Sequence, residues 1–208
     1  MTHDLPFSPA AERNKSVVLD VLRQLLPAQA LVLEIASGTG QHAAHCAGAE
    51  AGWRWQPSDA DAQALAGIDL RCAGLPNVRP AMLLDVLAPA GPPTPAAFDA
   101  VCCANMLHIS PWATCAGLMH GAARQLRSGG ALVLYGPFLV DGETTAAGNL
   151  AFDADLRQRH PAWGLRRLAA VVNEAQQAGL DFERRFDVPA NNLMLVFRRR
   201  AEAALADG

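Results

Sequence analysis

The chain has 208 residues, of which 51% are hydrophobic and 18% charged, and its formal net charge at pH 7 is −3. This length fits one domain with a substantial core, and the composition excludes wholesale disorder. The slightly acidic balance argues against a nucleic-acid binder, which normally carries a strongly basic face. We therefore predict a single domain over residues 1–208 that works without nucleic acid.

The cysteines and the N-terminal segment indicate the compartment. The cysteine count of five is odd, no CxxC pair occurs, and Cys102 and Cys103 stand together in an apolar run. Neither a disulfide framework nor a cysteine-rich metal site is expected, and a reducing cytoplasm is the expected location. Residues 1–9 lack the features of a signal peptide. No apolar run reaches the roughly 18–20 residues that a membrane span needs.

Apolar patterning predicts alternating helices and strands in the first two thirds of the chain. Ser8 and Pro9 begin a helix that Pro27 ends, so residues 1–27 form an N-terminal cap helix. The elements that follow are strand 30–36, helix 41–51, strand 53–57, helix 60–73, strand 78–84, a proline-rich loop 88–97, strand 98–104, helix 110–126 and strand 131–135. Such alternation is typical of a doubly wound, mainly parallel sheet.

The last third of the chain departs from this alternation. Residues 137–179 are long for one crossover and contain two short predicted helices, 152–159 and 165–178, so this extended crossover could form a lid. The two strands that follow, 180–188 and 192–199, are joined by a link so short that only an antiparallel hairpin is allowed. We therefore expect an α/β, Rossmann-like fold whose seven-stranded sheet is mainly parallel, with an antiparallel C-terminal hairpin strand.

A glycine turn follows the first predicted strand, at the place where doubly wound sheets hold their ligands. Gly38 and Gly40 let the backbone approach a ligand at the start of a helix. Residues 38–43 also fit the dinucleotide fingerprint G-x-G-x-x-A, with Asp59 lying 19 residues beyond Gly40. A dinucleotide site is therefore one interpretation of this turn.

The second interpretation starts from the residues before the turn. Residues 34–40, with the sequence EIASGTG, resemble the first motif of class I S-adenosylmethionine-dependent methyltransferases, an acid followed by a G-x-G-x-G turn. The acid is Glu34, whose negative charge suits a cationic ligand better than a pyrophosphate. Ala36 replaces the first glycine, and we expect it to keep ordinary strand dihedral angles. Asp85, at the end of the third predicted strand, and the terminal hairpin also match this class.

Six segments, in order along nearly the whole chain, resemble one family in particular. It is known as domain of unknown function 938, also called the methyltransferase-like 26 group. The segments are 8–15, 33–42, 55–59, 103–112, 135–138 and 189–192. The resemblance implies a class I methyltransferase fold with an unidentified substrate. Residues 147–149 depart from the family pattern, because a serine is expected there before the asparagine.

The resemblance also implies roles in binding S-adenosylmethionine. Glu34 would bind or orient its amino end, Gly38 and Gly40 would admit its methionyl part and ribose, and Asp59 would accept the ribose hydroxyls. Asp85 would accept from the adenine amino group. The further expected cofactor contacts are Arg13, Asn14, Ala36, Ser37, Val86 and Asn105. The alternatives are a helix N-cap for Asp59 and a turn aspartate for Asp85.

Methyl transfer needs mainly alignment, which supplies roughly 7–11 kcal/mol in favourable cases. His108 follows the fourth predicted strand and is the expected general base, because histidine titrates near neutrality; the alternative is a histidine that only shapes its loop. Tyr135 is the second candidate catalytic residue. The candidate substrate-pocket residues are Trp112, Phe138, Asn149, Phe152, Asp153, Arg157 and Trp163, each of which could instead serve the core or a cap.

The sequence therefore predicts an enzyme, a cytoplasmic S-adenosylmethionine-dependent methyltransferase that acts on a small molecule or on a small group of a protein. No membrane partner is expected, and the oligomeric state is left open. His42, His45 and Cys46 are close in sequence, but no distant pair completes a metal site, so no metal is expected. The alternatives are a non-catalytic S-adenosylmethionine-binding protein and an NAD(P)-dependent oxidoreductase.

Overall fold

A computed structural model describes residues 5–88 and 98–201 of the chain. Within these residues, helices and strands alternate as predicted. The elements are α1 (Pro9–Leu25), β1 (Ala30–Ile35), α2 (Gln41–Ala49), β2 (Trp53–Asp59), α3 (Ala62–Arg71), β3 (Met82–Leu83), β4 (Phe98–Ala104), a 3-10 turn (Leu107–Ile109), α4 (Ala113–Gln125), β5 (Leu126–Gly136), β6 (Phe138–Leu139), α5 (Ala147–Arg159), β7 (Arg166–Arg167), α6 (Leu168–Gln177), β8 (Leu180–Val188) and β9 (Asn192–Arg199).

Seven strands form one sheet in the order β3-β2-β1-β4-β5-β9-β8. The pairs from β3 to β5 are parallel, whereas β9 runs antiparallel to both β5 and β8. The short strands β6 and β7 form a separate parallel pair. The predicted fold class is confirmed, with β9 as the antiparallel strand of the terminal hairpin.

Both faces of the sheet are covered by helices, which explains the near-continuous apolar run of β1. Val32 belongs to the core under α1, α2 and α3, and its neighbour Leu33 belongs to the core under α4 and α6. The N-terminal helix begins where Ser8 and Pro9 predict, because the Ser8 side chain accepts a hydrogen bond from the Ala11 N–H at 3.2 Å.

Several predicted boundaries differ from the structure. The strand expected over residues 78–84 is reduced to β3, with one isolated bridge between Trp55 and Val78, because Pro80 has no N–H to donate. The helix expected at residue 110 begins at Ala113, and the first crossover helix begins at Ala147 instead of residue 152. The proline-rich loop lies, apart from Ala88, outside the described residues.

All five cysteines are buried free thiols. Burial raises the pKa of Cys103 to about 12 and that of Cys72 to about 11, so these thiols stay protonated at neutral pH. Over residues 5–88 and 98–201, no helix has the length and apolar character needed to cross a membrane. In the same part of the chain, no group of three or more His, Cys, Asp or Glu side chains could hold a metal ion.

Candidate functional site

A cavity of about 1,020 Å³ opens at the carboxyl ends of β1, β2, β4 and β5, next to the switch point where the strand order reverses. Its walls come from α1, the glycine turn, the loop after β4, α5 and the turn between β8 and β9. The predicted site residues that line it are Arg13, Asn14, Ala36, Ser37, Gly38, Asp59, Asn105, His108, Tyr135, Asn149 and Phe152. The structure thus brings together residues from six segments of the sequence.

The glycine turn has a left-handed backbone at three positions. Gly38 and Gly40 adopt φ values of 56° and 73°, which glycine tolerates without strain. Ala36 adopts a φ of 56°, so the expectation that it keeps strand dihedral angles is wrong. The chain turns away from β1 at this residue, which is why a glycine suits the position and why alanine is strained there.

The two glycines have different local roles. A Cβ added to Gly38 would meet no atom within 4 Å, so this backbone faces open space in the cavity. A Cβ added to Gly40 would lie 3.2 Å from the Cα of Ile68 in α3, and Gly40 does not line the cavity. Gly38 is therefore the position where a ligand can approach the backbone, and Gly40 permits the packing of α2 against α3.

Asp59 faces the glycine turn from the end of β2. Its Oδ2 accepts a hydrogen bond from the Gly38 N–H at 2.8 Å, and its Oδ1 accepts one from the Asp61 N–H at 3.0 Å. The N-cap of α3 is Asp61, whose side chain accepts from the Gln63 N–H at 2.9 Å. The alternative that Asp59 caps this helix is therefore wrong, and its carboxylate belongs to the cavity.

A buried polar cluster lies beneath the cavity floor. Glu34 is 3% exposed and does not line the large cavity. Its Oε2 accepts hydrogen bonds from the Trp55 indole N–H and the Ser37 hydroxyl, each at 3.0 Å. Its Oε1 lies 3.9 Å from Nδ1 of His42. Glu34 therefore acts on the cavity through Ser37 and His42, which do line it.

His42 connects this cluster to the N-terminal helix. Its Nε2 lies 2.6 Å from Oδ1 of Asn14, and Asn14 is hydrogen-bonded in turn to the Tyr135 side chain. Burial raises the pKa of Glu34 to about 7 and lowers that of His42 to about 4. With His42 neutral at pH 7, the 3.9 Å contact is not an ion pair.

His42 is a site residue that was not predicted from the sequence. One signal was available, because His42 is the second residue of the helix that follows the glycine turn, and the start of such a helix faces the ligand. Gln41, the residue before it, fastens α1 to this helix by accepting from the Ser8 N–H at 2.7 Å and donating to Glu12 at 2.8 Å. These contacts hold Arg13 and Asn14 over the cavity.

Asn105 and His108 belong to the loop after β4. Asn105 has a left-handed φ of 59°, which asparagine tolerates, and its N–H donates to the Tyr135 carbonyl at 2.9 Å. His108 is 6% exposed and makes an edge contact with Phe152, with the ring centroids 5.5 Å apart. Burial, with a smaller contribution from Arg166, lowers the pKa of His108 to about 4. The expectation that this histidine titrates near neutrality is therefore wrong.

Two predicted adenine contacts are not brought to the cavity. Asp85 is exposed, and its Oδ1 accepts a hydrogen bond from the Leu87 N–H at 2.9 Å. This is the contact of an aspartate that stabilises its own turn, the alternative role considered for Asp85. Val86 packs against α4, where an added Cβ on Gly117 would lie 2.4 Å from the Val86 carbonyl oxygen. Both residues line a small separate cavity behind the sheet.

Five predicted substrate residues also lie outside the large cavity. Asp153 accepts from Arg157 at 2.9 Å and from the Leu165 N–H at 2.6 Å, so this pair ties α5 to the loop that follows it. Trp163 stacks on His160, with the ring centroids 5.4 Å apart. The other two are Trp112, which lies beneath the Arg166 guanidinium, and Phe138, which is buried beside a neighbouring cavity. The contacts described here for these five residues are with other groups of the protein.

Over residues 5–199 the sequence matches a family described as "Protein of unknown function (DUF938)". The chain belongs to this family. The match includes every wall of the large cavity, since the lining residues run from Ser8 to Asn192. The resemblance drawn from the six sequence segments is confirmed.

Solved structures show which fold this chain has. Human N-acetylserotonin methyltransferase, solved in complex with SAM, has 16% identity and a TM-score of 0.75 over 92% of this chain and 53% of its own. An O-methyltransferase family 2 protein from Planctomyces limnophilus, solved with apigenin, has 16% identity and a TM-score of 0.73 over 91% of this chain and 60% of its own. This chain thus spans little more than half the length of these two proteins.

A putative methyltransferase from Bacillus halodurans is similar over its whole length. It has 16% identity and a TM-score of 0.68, and the match covers 88% of this chain and 99% of the Bacillus protein. These likenesses establish the class I methyltransferase fold for this chain.

Proposed function

We propose that this protein is an S-adenosylmethionine-dependent methyltransferase that acts on a small-molecule acceptor. One observation carries the proposal: in a class I methyltransferase fold, the Asp59 carboxylate at the end of β2 and the open backbone of Gly38 line one cavity side by side, and the Gly38 N–H donates to Asp59 at 2.8 Å. A volume of about 1,020 Å³ is at the upper end of the range for small-molecule sites. The cavity therefore offers space for a cofactor and an acceptor together.

The residues present fit the amino-acid and ribose parts of S-adenosylmethionine. Asp59 retains acceptor capacity, because each carboxylate oxygen can accept more than the one hydrogen bond it has here. Arg13 is exposed at the cavity and has no carboxylate partner among the residues described, so it is available to bind a ligand carboxylate. Below the glycine turn, Glu34 is partly ionised at pH 7, because its pKa is about 7, and it accepts a hydrogen bond from the Ser37 hydroxyl. Asp85 remains a proposed adenine contact that requires movement of its turn.

When bound, S-adenosylmethionine supplies an electrophilic methyl group on a positively charged sulfur, which leaves as a neutral thioether. The chain contributes alignment and exclusion of water, since α1, α5 and the β8–β9 turn wall the cavity. His108 is neutral at pH 7 and offers one ring nitrogen as a hydrogen-bond acceptor to an acceptor molecule. Its low pKa makes it a weak base, so the acceptor group must itself be acidic or already deprotonated.

The extended crossover contributes a lid over this site. Helix α5 carries Asn149 and Phe152 to the cavity. The Asn149 side-chain amide donates to the Asn191 carbonyl at 2.9 Å, and Phe152 contacts the His108 ring. These two contacts pin the helix at the β8–β9 turn and at the loop after β4. We propose that α5 opens to admit ligands and closes on these contacts.

Calorimetric titration with S-adenosylmethionine, S-adenosylhomocysteine and NAD separates the three function classes. If S-adenosylmethionine and S-adenosylhomocysteine bind and NAD does not, the result supports a methyltransferase. If only NAD binds, the result contradicts the proposal. Transfer from radiolabelled S-adenosylmethionine to a small-molecule panel then separates an enzyme from a non-catalytic binding protein. The two solved neighbours described above, with SAM and with apigenin bound, support a small-molecule acceptor.

A further inference from the structure

We propose that the acceptor end of this cavity selects a molecule with an apolar body and an acidic hydroxyl or thiol, and that it rejects protonated amines. This inference rests on the proposed function and adds the chemical class of the acceptor. Two features support it: the side chains that line the cavity around His108, and the positive charge of Arg166 behind them.

The wall is mainly apolar, and its polar groups next to the imidazole are the uncharged side chains of Asn105, Tyr135 and Asn149. Met106, Ile109, Pro137 and Phe152 line the cavity next to His108. Ile109 is 44% exposed and Phe152 is 37% exposed, so two large apolar side chains open to the mouth of the cavity. Covering this surface favours an acceptor with an apolar body, since burial of apolar area is worth about 25 cal/mol per Å².

A single guanidinium stands behind His108. Arg166 donates to three carbonyl oxygens, from Nε to Leu107 at 2.9 Å and from Nη2 to Ser110 at 2.6 Å and Ala162 at 2.8 Å. Its guanidinium also lies 5.6 Å from the centre of the Trp112 ring. These contacts hold the turn that presents His108 to the cavity.

The positive charge of Arg166 has no carboxylate partner within the described residues. Asp153 and Arg157 both lie close enough to Arg166 to interact with its charge, but they are paired with each other at 2.9 Å and their opposite charges offset one another. Carbonyl dipoles and an aromatic face surround Arg166 instead, so a positive potential extends to His108. The same potential disfavours the imidazolium form of His108 and lowers its pKa.

An ammonium group at His108 would meet this potential, because no carboxylate of the described residues forms an ion pair with Arg166 and Asp153 is already paired with Arg157. The only carboxylate among the described lining residues is Asp59, which lies at the glycine turn. A hydroxyl or thiol meets the opposite situation, because it can donate to the neutral imidazole, and the anion formed on proton loss is stabilised by Arg166. The acceptor's proton is lost to solvent, the methyl group takes its place on oxygen or sulfur, and the cofactor leaves as a neutral thioether; His108 only orients the acceptor by accepting its hydrogen bond.

The test is a binding comparison on protein saturated with S-adenosylhomocysteine. The probes are matched pairs of one and two rings, phenol against benzylamine and 2-naphthol against 2-(aminomethyl)naphthalene, titrated calorimetrically at pH 7.5, where both amines are protonated. We expect the hydroxyl compound of a pair to bind at least tenfold more tightly. Equal or tighter binding of the amine overturns the proposal, and so does failure of all four probes to bind. A protein that does not bind S-adenosylhomocysteine contradicts the proposed function, and this is seen before any probe is added.

Variants of Arg166 test the origin of the selectivity. Arg166→Gln removes the charge, so the amine should gain at least threefold against the hydroxyl compound, and the pKa of His108, measured by NMR titration, should rise. Arg166→Lys keeps the charge and should keep the wild-type preference. The matched control is Arg159→Gln, which removes an exposed arginine of α5. An unchanged preference in folded Arg166→Gln overturns the assigned origin, and if that variant does not fold, the wild-type probe pairs and the lysine variant still decide.

Discussion

The carboxylate of Asp59 accepts a hydrogen bond from the Gly38 N–H at 2.8 Å, which ties the end of β2 to the turn after β1. The two residues are separated by the whole of α2, and neither motif shows this contact on its own. The contact fixes the spacing between the open backbone of the glycine turn and the carboxylate. It also means that substitutions of Asp59 affect both a ligand and the shape of the turn.

Asp59→Ala should weaken binding of S-adenosylmethionine by roughly tenfold or more, because a hydrogen bond to a charged group contributes about 1.5–3 kcal/mol. Asp59→Asn retains an acceptor for the Gly38 N–H and should show a smaller loss. Asp61→Ala is the matched control: it removes the α3 N-cap, should lower the free energy of unfolding by about 1 kcal/mol, and should leave binding unchanged. Calorimetry measures the affinity for S-adenosylmethionine, and urea unfolding measures the free energy of unfolding. Unchanged affinity in Asp59→Ala contradicts the proposed role of Asp59 in cofactor binding.

Ala36→Gly should stabilise the fold by up to about 1 kcal/mol, because the φ of 56° strains alanine and not glycine. Ala154→Gly, on an exposed position of α5, should instead destabilise by about 1 kcal/mol, since glycine weakens a regular helix. The midpoints of urea unfolding, compared at an unchanged dependence of the free energy on urea concentration, give the change in stability of each variant. A destabilised Ala36→Gly variant would show that the left-handed backbone at this position is not present in solution.

Glu34→Gln should change the pH dependence of stability. The pKa of Glu34 is raised from 4.5 to about 7, so between these pH values the folded protein binds more protons here than the unfolded chain. The stability of the wild type relative to the variant should therefore fall as pH rises through this window, by at most about 3 kcal/mol. Glutamine keeps an acceptor for Trp55 and Ser37.

His42 and His108, each with a pKa lowered to about 4, act in the opposite direction, since they add stability as pH rises toward 6.5. The contribution of His108 is common to the wild type and Glu34→Gln, whereas His42 lies 3.9 Å from Glu34, so the difference between the two unfolding curves reports the Glu34–His42 pair. A difference that is flat from pH 4.5 to 7.5 would mean that Glu34 is ionised throughout.

Asn149→Ala should loosen α5 by removing the hydrogen bond to the Asn191 carbonyl. Amide hydrogen exchange in α5 should quicken severalfold, because local opening is controlled by such tertiary contacts. The control Asp155→Ala removes an exposed ion pair with Arg159 within the same helix and should leave exchange nearly unchanged. Exchange measured by mass spectrometry tests this, and equal rates in both variants would argue against a lid pinned at the β8–β9 turn.

Much of the architecture was predictable because it depends on local pattern. The hairpin strands β8 and β9 have the predicted bounds, since a three-residue link between two strand-like runs allows one arrangement. Strand β3 was predicted too long because Pro80 interrupts an otherwise suitable apolar segment. The family segments also located the glycine turn and Asp59, which the structure brings to one cavity.

The errors concern properties that depend on distant neighbours. The pKa of His108 is lowered because β5 and α5 bury it and because the positive charge of Arg166 lies nearby, and none of these is adjacent in sequence. His42 was missed because its partner Asn14 lies 28 residues away on another helix. Asp85 accepts a hydrogen bond within its own turn and does not reach the cavity. The packing of Val86 against α4 holds this turn, and that contact cannot be seen in the sequence.

The amino-acid sequence alone determined the order of strands and helices, the closing hairpin and the family, because periodicity, turn residues and motif spacing are local properties of the chain. The tertiary structure decided which of the predicted residues share one cavity, that Ala36 is left-handed, and that His108 is neutral. Those outcomes follow from desolvation and from contacts between segments that only the folded chain brings together.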